Sequence, residues 1–135
     1  MARSAAEILL VEDNPGDQRL MVEALKEAGW TGLPHIVGNG ADAIAYLREN
    51  PRKQRPDLKL IILDLNLPGK DGRELLAEIR QDPEWGEVPV VVLSSSKAHE
   101  DISQSFELNA DGYITKPFDL EEYYEAIRGL ERFYR

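Results

Sequence analysis

Five side chains that could act as acids, metal ligands or nucleophiles follow short apolar segments of this sequence. They are Glu12, Asp13, Asp64, Ser94 and Lys116. Three carboxylates cannot all stay ionised close together unless a cation compensates their charge. A ligand set of oxygen atoms, without histidine or cysteine, suits Mg²⁺ or Mn²⁺ better than zinc. If the fold brings these residues together, they would form a divalent metal site.

The same residue types are suited to phosphoryl chemistry. A lysine opposite a metal ion can hold a phosphoryl group between two positive charges. A carboxylate can also be the nucleophile and form an aspartyl phosphate. Each residue alone has an ordinary structural explanation, since Glu12 and Asp13 could favour a helix N-terminus and Asp64 could be a turn residue. Their coincidence at the ends of four different segments favours one shared site.

The apolar segments predict five β-strands. Each segment is short and continuously apolar instead of alternating, which is typical of strands buried on both faces of a parallel sheet. The predicted strands lie within residues 8–11, 33–37, 60–63, 90–93 and 113–114.

Apolar residues at helical spacing separate these strands, and residues typical of helix ends flank them. The end signals include Asn14-Pro15 and Gly29 around the first helix, Asn50-Pro51 after the second, and Asp119 with Glu122 at the start of the last, which is predicted to run through Leu130. A β-α unit repeated five times predicts an α/β fold whose parallel sheet is covered on both faces. Ligands of such folds bind at the carboxyl ends of the strands, where the five side chains stand.

The length of 135 residues predicts one domain over residues 1–135, with residues 1–6 as a flexible N-terminus. The composition, 42% hydrophobic and 30% charged, is typical of a globular protein and excludes disordered and fibrous classes. Because the chain has no cysteine, disulfides and cysteine-based zinc sites are excluded.

The net charge and the hydropathy pattern limit which kinds of partner and which cellular location are expected. A formal net charge of −9 disfavours binding to nucleic acid or to anionic membranes. No apolar run reaches the roughly 20 residues that span a bilayer, and residues 1–7 do not resemble a signal peptide. We therefore expect a cytoplasmic protein.

Four motifs of the sequence resemble the receiver domain of bacterial two-component response regulators. The motifs are residues 10–14, 63–72, 89–94 and 112–118, and the resemblance extends from about residue 7 to about residue 130. It implies a flavodoxin-like (βα)5 fold, a doubly wound five-stranded parallel sheet in the order 2-1-3-4-5. It also implies a signalling switch, which promotes its own phosphorylation and dephosphorylation, rather than an enzyme.

The resemblance implies a role for each residue of the metal site. Asp64 matches the phosphoacceptor, which takes a phosphoryl group from the phosphohistidine of a histidine kinase with Mg²⁺ or Mn²⁺. Asp13 matches the direct acidic ligand of the ion, and Glu12 contacts the ion mainly through water. The backbone carbonyl of Asn66 would be the remaining protein ligand.

The resemblance also implies a set of switch residues. Lys116 would pair with Asp64 at rest and with the phosphoryl oxygens afterwards. Ser94 matches the switch hydroxyl, at a position where threonine is more frequent, and Tyr113 matches the aromatic residue that turns inward with it. Pro117 would follow a cis peptide bond. Asn66 and Ser96 occupy the variable positions that tune the lifetime of the phosphate.

A finer resemblance concerns the partner. Residues 12–17, residues 64–68 and the aromatic tail through Phe133 and Tyr134 look similar to small regulators paired with phytochrome-type light-sensing kinases, which are receivers without an output domain. Phe133 and Tyr134, near the terminus, are expected to have less to pack on than the core-facing residues of the last helix, which favours a homodimer through the fourth helix, fifth strand and fifth helix. His35 and His99 are interpreted as structural or surface residues.

Three other functions agree with parts of the pattern. A metal-dependent aspartyl-phosphate hydrolase would need an Asp-x-Asp pair on the first strand, whereas Asp64-Leu65-Asn66 follows the third and lacks the second Asp. A flavodoxin-like cofactor carrier would need a phosphate-binding loop after the first strand. An unphosphorylated receiver-like binding module would not need the complete set of Asp13, Asp64, Ser94 and Lys116.

Overall fold

Strands and helices alternate along the chain in the computed structural model. It describes residues 6–67, 69, 71–95, 99–116 and 119–134, with only the backbone described at 99–101. The elements are β1 (Glu7–Val11), α1 (Pro15–Glu27), β2 (His35–Val37), α2 (Gly40–Glu49), β3 (Leu58–Asp64), α3 (Gly72–Gln81), β4 (Val90–Ser94), α4 (His99–Glu107), β5 (Gly112–Thr115), α5 (Leu120–Arg128) and α6 (Glu131–Tyr134). None of the helices in these ranges is long and apolar enough to cross a membrane.

The five strands form one parallel sheet in the order β2-β1-β3-β4-β5. This confirms the predicted flavodoxin-like fold. β1 lies between β2 and β3, so the chain turns to opposite sides of β1 as it builds the sheet. In the sheet register, Val11 is the neighbour of Leu63 and Asp64 is the neighbour of Leu93. The carboxyl ends of these strands therefore lie side by side.

Alternate residues of the strands pack into two hydrophobic clusters, one on each face of the sheet. On β1, Ile8 and Leu10 point to one face while Leu9 and Val11 point to the other. The α2–α3 cluster joins one set of strand residues to Ala43, Leu47, Leu75, Leu76 and Ile79. The α1–α5 cluster joins the other set to Met21, Ala24, Leu25, Tyr123 and Ile127. Burial on both faces explains why the strands are continuously apolar.

Side-chain caps begin four of the helices. Asn14, Asn39, Asp71 and Asp119 each accept a hydrogen bond from a backbone N–H two or three residues later. Such a cap satisfies one of the N–H groups that the first helical turn leaves without a partner. At the other end of α1, Gly29 has a φ of +93°, a conformation that glycine adopts without steric cost.

The C-terminal segment differs from the sequence prediction in where the last helix ends. The last helix was predicted to run through Leu130, whereas α5 ends at Arg128 and a separate short helix, α6, follows. Phe133 and Tyr134 are half-buried and pack against the α1–α5 cluster, whereas Tyr123 and Leu130 are buried in it. The Tyr134 ring lies 6.4 Å from the ring of Trp30, centroid to centroid.

Candidate functional site

The site lies at the carboxyl edge of the sheet, where β1 and β3 are neighbours. Glu12 follows β1, Asp64 ends β3, Ser94 ends β4 and Lys116 follows β5. The backbone N–H of Lys116 donates to the Ser94 carbonyl at 2.7 Å, which ties the end of β5 to the end of β4. Regular strand pairing thus brings together residues that are far apart in the sequence.

Lys116 lies among three carboxylates and donates a hydrogen bond to each. Its Nζ is 2.9 Å from Glu12 Oε1, 3.0 Å from Asp64 Oδ2 and 2.9 Å from Asp17 Oδ2. An ammonium group has three N–H donors, so these three bonds use all of them. Burial works against the charge of Lys116, but hydrogen bonds with the three carboxylates outweigh it and raise the pKa of Lys116 above its usual value.

Glu12 is the most deeply buried carboxylate of this group, with 1% of its surface exposed. Burial raises the pKa of Glu12 to about 7; the hydrogen bond from Lys116 lowers it, and the neighbouring Asp64 raises it. Its second oxygen, Oε2, accepts from the backbone N–H of Asn14 at 3.2 Å. Glu12 is therefore held in place from two sides, although its negative charge is costly there.

Asp64 is buried as well and is fixed by the backbone that follows it. Its Oδ2 faces Lys116, while its Oδ1 accepts from the backbone N–H of Asn66 at 2.9 Å. The start of α3 contacts the same loop, where the N–H of Gly72 donates to the Leu65 carbonyl at 3.1 Å. A Cβ atom at Gly72 would lie 2.6 Å from Leu65 Cα and 2.7 Å from the Asp64 carbonyl oxygen. Glycine is thus required for this close approach.

Three carboxylates form a group that fits a divalent cation. Glu12, Asp13 and Asp64 each offer an oxygen within 4.8 Å of the other two, and Asp13 is exposed while its partners are buried. Oxygen ligands of this kind suit Mg²⁺ or Mn²⁺. The predicted further ligand is the carbonyl of Asn66, and the N–H of that residue lies beside Asp64.

The predicted switch residues lie on the two strands that follow β3 in the sheet. Ser94 is fully buried at the end of β4, and Tyr113 is half-buried on β5, where it packs against the α2–α3 cluster. Pro117, whose preceding peptide bond was predicted to be cis, lies outside the described residues, as does Ser96.

Sequence reasoning did not assign a role to Asp17. This residue belongs to the first turn of α1 and reaches Lys116 across 99 positions of sequence. The available signal was a third acidic residue four positions after Asp13, at the start of a helix that begins beside the site. Acidic residues are common in the first turn of helices because they favour the positive end of the helix dipole, so the signal was ambiguous.

Comparisons with known proteins agree with this geometry. A family model described as response regulator receiver domain matches residues 8–128. Response regulator Rcp1 of Synechocystis sp. is 42% identical over 128 residues, which cover 94% of this chain and 87% of Rcp1.

Two solved structures are similar over almost the whole chain. The phosphorylated cyanobacterial phytochrome response regulator RcpA superposes with a TM-score of 0.83 at 43% identity, covering 97% of this chain and 94% of RcpA. The Mn²⁺-bound form of Rcp1 superposes with a TM-score of 0.81 at 42% identity, covering 96% and 94% of the two chains.

Proposed function

The chain belongs to the response regulator receiver domain family, and from that premise we propose that it accepts a phosphoryl group on Asp64 from the phosphohistidine of a histidine kinase. The observation that carries the proposal is the placement of Asp64: its Oδ2 lies 3.0 Å from Lys116 Nζ, and its carboxylate shares a group of oxygens with Glu12 and Asp13. A nucleophile, a cation and a set of metal ligands thus meet at one edge of the sheet.

In the proposed reaction, an oxygen of the Asp64 carboxylate attacks phosphorus. The new P–O bond forms as the P–N bond of the phosphohistidine breaks, and the imidazole leaves with the bonding electron pair. Asp13 and Asp64 would hold Mg²⁺ or Mn²⁺, with the Asn66 carbonyl as a further ligand and Glu12 acting through water, and the ion would compensate the charge of the phosphoryl oxygens. Lys116 donates to those oxygens from the other side, so the protein contributes position and charge.

In this proposal, Ser94 and Tyr113 change conformation in response to the phosphoryl group on Asp64. The phosphoryl group on Asp64 carries roughly −1.5 to −2 charges, and the buried Ser94 hydroxyl moves to donate to it while Tyr113 turns inward. A reversal of two states from 1:99 to 99:1 takes about 5.5 kcal/mol. Hydrogen bonds to a charged group, worth about 1.5–3 kcal/mol each, are of the right size to provide it.

The proposed partner is a phytochrome-type sensor kinase, and the proposed location of the phosphoryl transfer is the cytoplasm. The similarity to Rcp1 and to the phytochrome response regulator RcpA supports this choice. The test is transfer from purified phosphorylated kinases, compared between a phytochrome-type kinase and an unrelated one. Equal rates from both would contradict the assignment of the partner.

The proposal also includes self-association through the surface formed by α4, β5 and α5. Two large apolar side chains support it, since Phe106 on α4 is 48% exposed and Leu120 on α5 is 52% exposed. Light scattering would measure the mass with and without beryllofluoride, a phosphoryl mimic. A monomer under both conditions would contradict this part.

The decisive test of phosphorylation is the intact mass after incubation with acetyl phosphate and Mg²⁺. The wild type should gain one phosphoryl group, whereas Asp64→Asn and a chelated sample should not. Asp42→Asn, which removes an exposed carboxylate on α2, is the matched control and should gain the group. If the wild type gains nothing from acetyl phosphate or from a phosphorylated kinase, an unphosphorylated protein-binding module becomes the better reading.

A further inference from the structure

Asp17 competes for the same ammonium group that must hold the phosphoryl oxygens. We propose that Asp17 is a positioning residue that restrains Lys116 and so limits how strongly the site holds a phosphoryl group. The inference rests on the proposed function, because it assumes that Lys116 serves the phosphoryl group on Asp64. Its basis is the 2.9 Å hydrogen bond from Lys116 Nζ to Asp17 Oδ2.

The donors of Lys116 are fully used before any phosphoryl group arrives. Three carboxylates take its three N–H groups at 2.9 to 3.0 Å. Once Asp64 carries a phosphoryl group, its own oxygens lose most of their negative charge, and the donor that faced Asp64 turns to the phosphoryl oxygens. Glu12 and Asp17 still draw the ammonium group toward themselves, so the phosphoryl group receives only a share of its charge.

Of these two competitors, Asp17 is the one that can be removed at little cost. The Glu12 side chain is 1% exposed, and its other oxygen accepts from a backbone N–H. The Asp17 side chain is 39% exposed, so water can take its place as a partner of Lys116 when the carboxylate is removed. The cap of α1 does not depend on the Asp17 carboxylate, because Asn14 accepts from the backbone N–H of Asp17. Asp17 variants should therefore fold.

Removal of the Asp17 charge should strengthen binding of a phosphoryl mimic. In Asp17→Asn and Asp17→Ala, Lys116 has one anionic partner fewer, and the incoming anion meets less repulsion. The dissociation constant of beryllofluoride in the presence of Mg²⁺ should fall about three- to tenfold, which extends from the upper part of the range for an exposed ion pair to the lower limit of the range for a charged hydrogen bond. Damage to the fold would weaken binding instead, so a purely structural role predicts the opposite sign.

The control variants separate the local effect from net charge. Glu23→Gln removes the same charge from an exposed position on α1 and should leave the dissociation constant unchanged. Asp17→Glu, which keeps the carboxylate, should return it toward the wild-type value. Unchanged or weaker binding in both Asp17→Asn and Asp17→Ala would overturn the inference.

A second measurement tests the restraint on Lys116 without metal or phosphoryl mimic. The hydrogen exchange of the Lys116 ammonium protons can be followed by NMR, and their signal is assigned by its absence in Lys116→Arg. This exchange should be faster in Asp17→Asn than in the wild type and in Glu23→Gln. Equal rates would overturn the inference. If the wild type takes no phosphoryl group while exchange is faster in Asp17→Asn, the proposed function fails and the restraint of Lys116 by Asp17 stands.

Discussion

Glu12 and Lys116 show how a buried carboxylate can be both necessary and costly. The carboxylate of Glu12 is removed from water and lies near Asp64, and both circumstances favour its neutral form. Its hydrogen bond to Lys116 works in the other direction. A protein that kept Glu12 only for stability would gain from a neutral side chain at this position, so its charge is explained better by the binding of a cation.

The raised pKa of Glu12 predicts how stability depends on pH in the metal-free protein. The usual pKa is 4.5 and the folded value is about 7, so between these values the folded state keeps a proton that the unfolded state releases. The free energy of unfolding should therefore fall as pH rises through this window, by about 3 kcal/mol at most from this group. Denaturant titrations at pH 4.5, 6 and 8 would measure the fall.

Glu12→Gln isolates the contribution of Glu12 from those of other titrating groups. Glutamine has nearly the same shape and no proton to lose, so the variant should lack this part of the pH dependence. Its stability relative to the wild type should increase from pH 4.5 to pH 8. A constant difference across this range would show that Glu12 titrates near its usual pKa.

Asp13 is the exposed member of the metal group, and its removal tests the ion directly. Saturating Mg²⁺ should raise the melting temperature of the wild type by about 5 °C or more, since a ligand that binds only the folded state stabilises it. Asp13→Asn should lose most of that increase while being at least as stable without Mg²⁺, because a like charge near Glu12 and Asp64 has been removed. Differential scanning calorimetry with Asp42→Asn as the control would decide, and an undiminished increase in Asp13→Asn would contradict the assignment.

At the scale of elements, the junction of β3 and α3 sets the position of Asp64. The loop after β3 carries the N–H that binds Asp64 Oδ1, and the first residue of α3 presses against the backbone of that loop. Because the neighbouring atoms are backbone atoms, they cannot turn aside as a flexible side chain would. A change at the start of α3 should therefore be transmitted through the backbone to the Asp64 side chain.

Gly72→Ala should reduce both stability and phosphorylation. The new Cβ would lie 2.6 Å from Leu65 Cα, so the loop must shift, at a cost of about 1–3 kcal/mol typical of overpacking. The rate of phosphorylation by acetyl phosphate should fall together with the free energy of unfolding. Gly38→Ala is the matched control, because a Cβ there would meet no atom within 4 Å. Equal behaviour of the two variants would remove the role assigned to Gly72.

Elements were predictable where the signal lies within a few residues. The apolar strands and the caps at Asn14 and Asp119 are local patterns, and the structure confirms the strands and caps they predicted. The break between α5 and α6 falls at Gly129, the C-cap of α5, but Leu130 and Phe133 continue the apolar pattern of the helix and masked this signal. The second strand begins at His35 and not at Leu33, which is 74% exposed, because an apolar residue alone does not define a strand end.

At the scale of the whole molecule, the sequence indicated which edge of the sheet carries the site but not the contacts within it. Regular pairing of parallel strands was sufficient to place Asp64 and Lys116 together. The bond between Asp17 and Lys116 depends on how α1 packs on the sheet, which no local pattern specifies. The same holds for Trp85, whose buried ring donates to the carbonyls of Leu47 and Asn50 at 3.1 Å. Both contacts are consequences of tertiary packing.

Trp30 contacts both ends of the described chain, Ala6 and Tyr134. Trp30 Nε1 donates to the Ala6 carbonyl at 2.8 Å, and its ring contacts Tyr134. The Tyr134 hydroxyl is buried without a hydrogen-bond partner among the residues that the structure describes, and burial raises the pKa of Tyr134. A buried hydroxyl without a partner costs free energy that its ring must offset.

Tyr134→Phe should therefore raise the free energy of unfolding by about 1 kcal/mol, whereas Tyr134→Ala should lower it through the loss of ring packing. Tyr123→Phe is the contrasting variant, since the Tyr123 hydroxyl is buried next to Met21 Sδ at 3.9 Å and its removal should bring no gain. Urea unfolding of the three variants measures the differences. A loss of stability in Tyr134→Phe would mean that the hydroxyl has a partner in solution, and the C-terminal helix would then be held by a polar contact in addition to apolar packing.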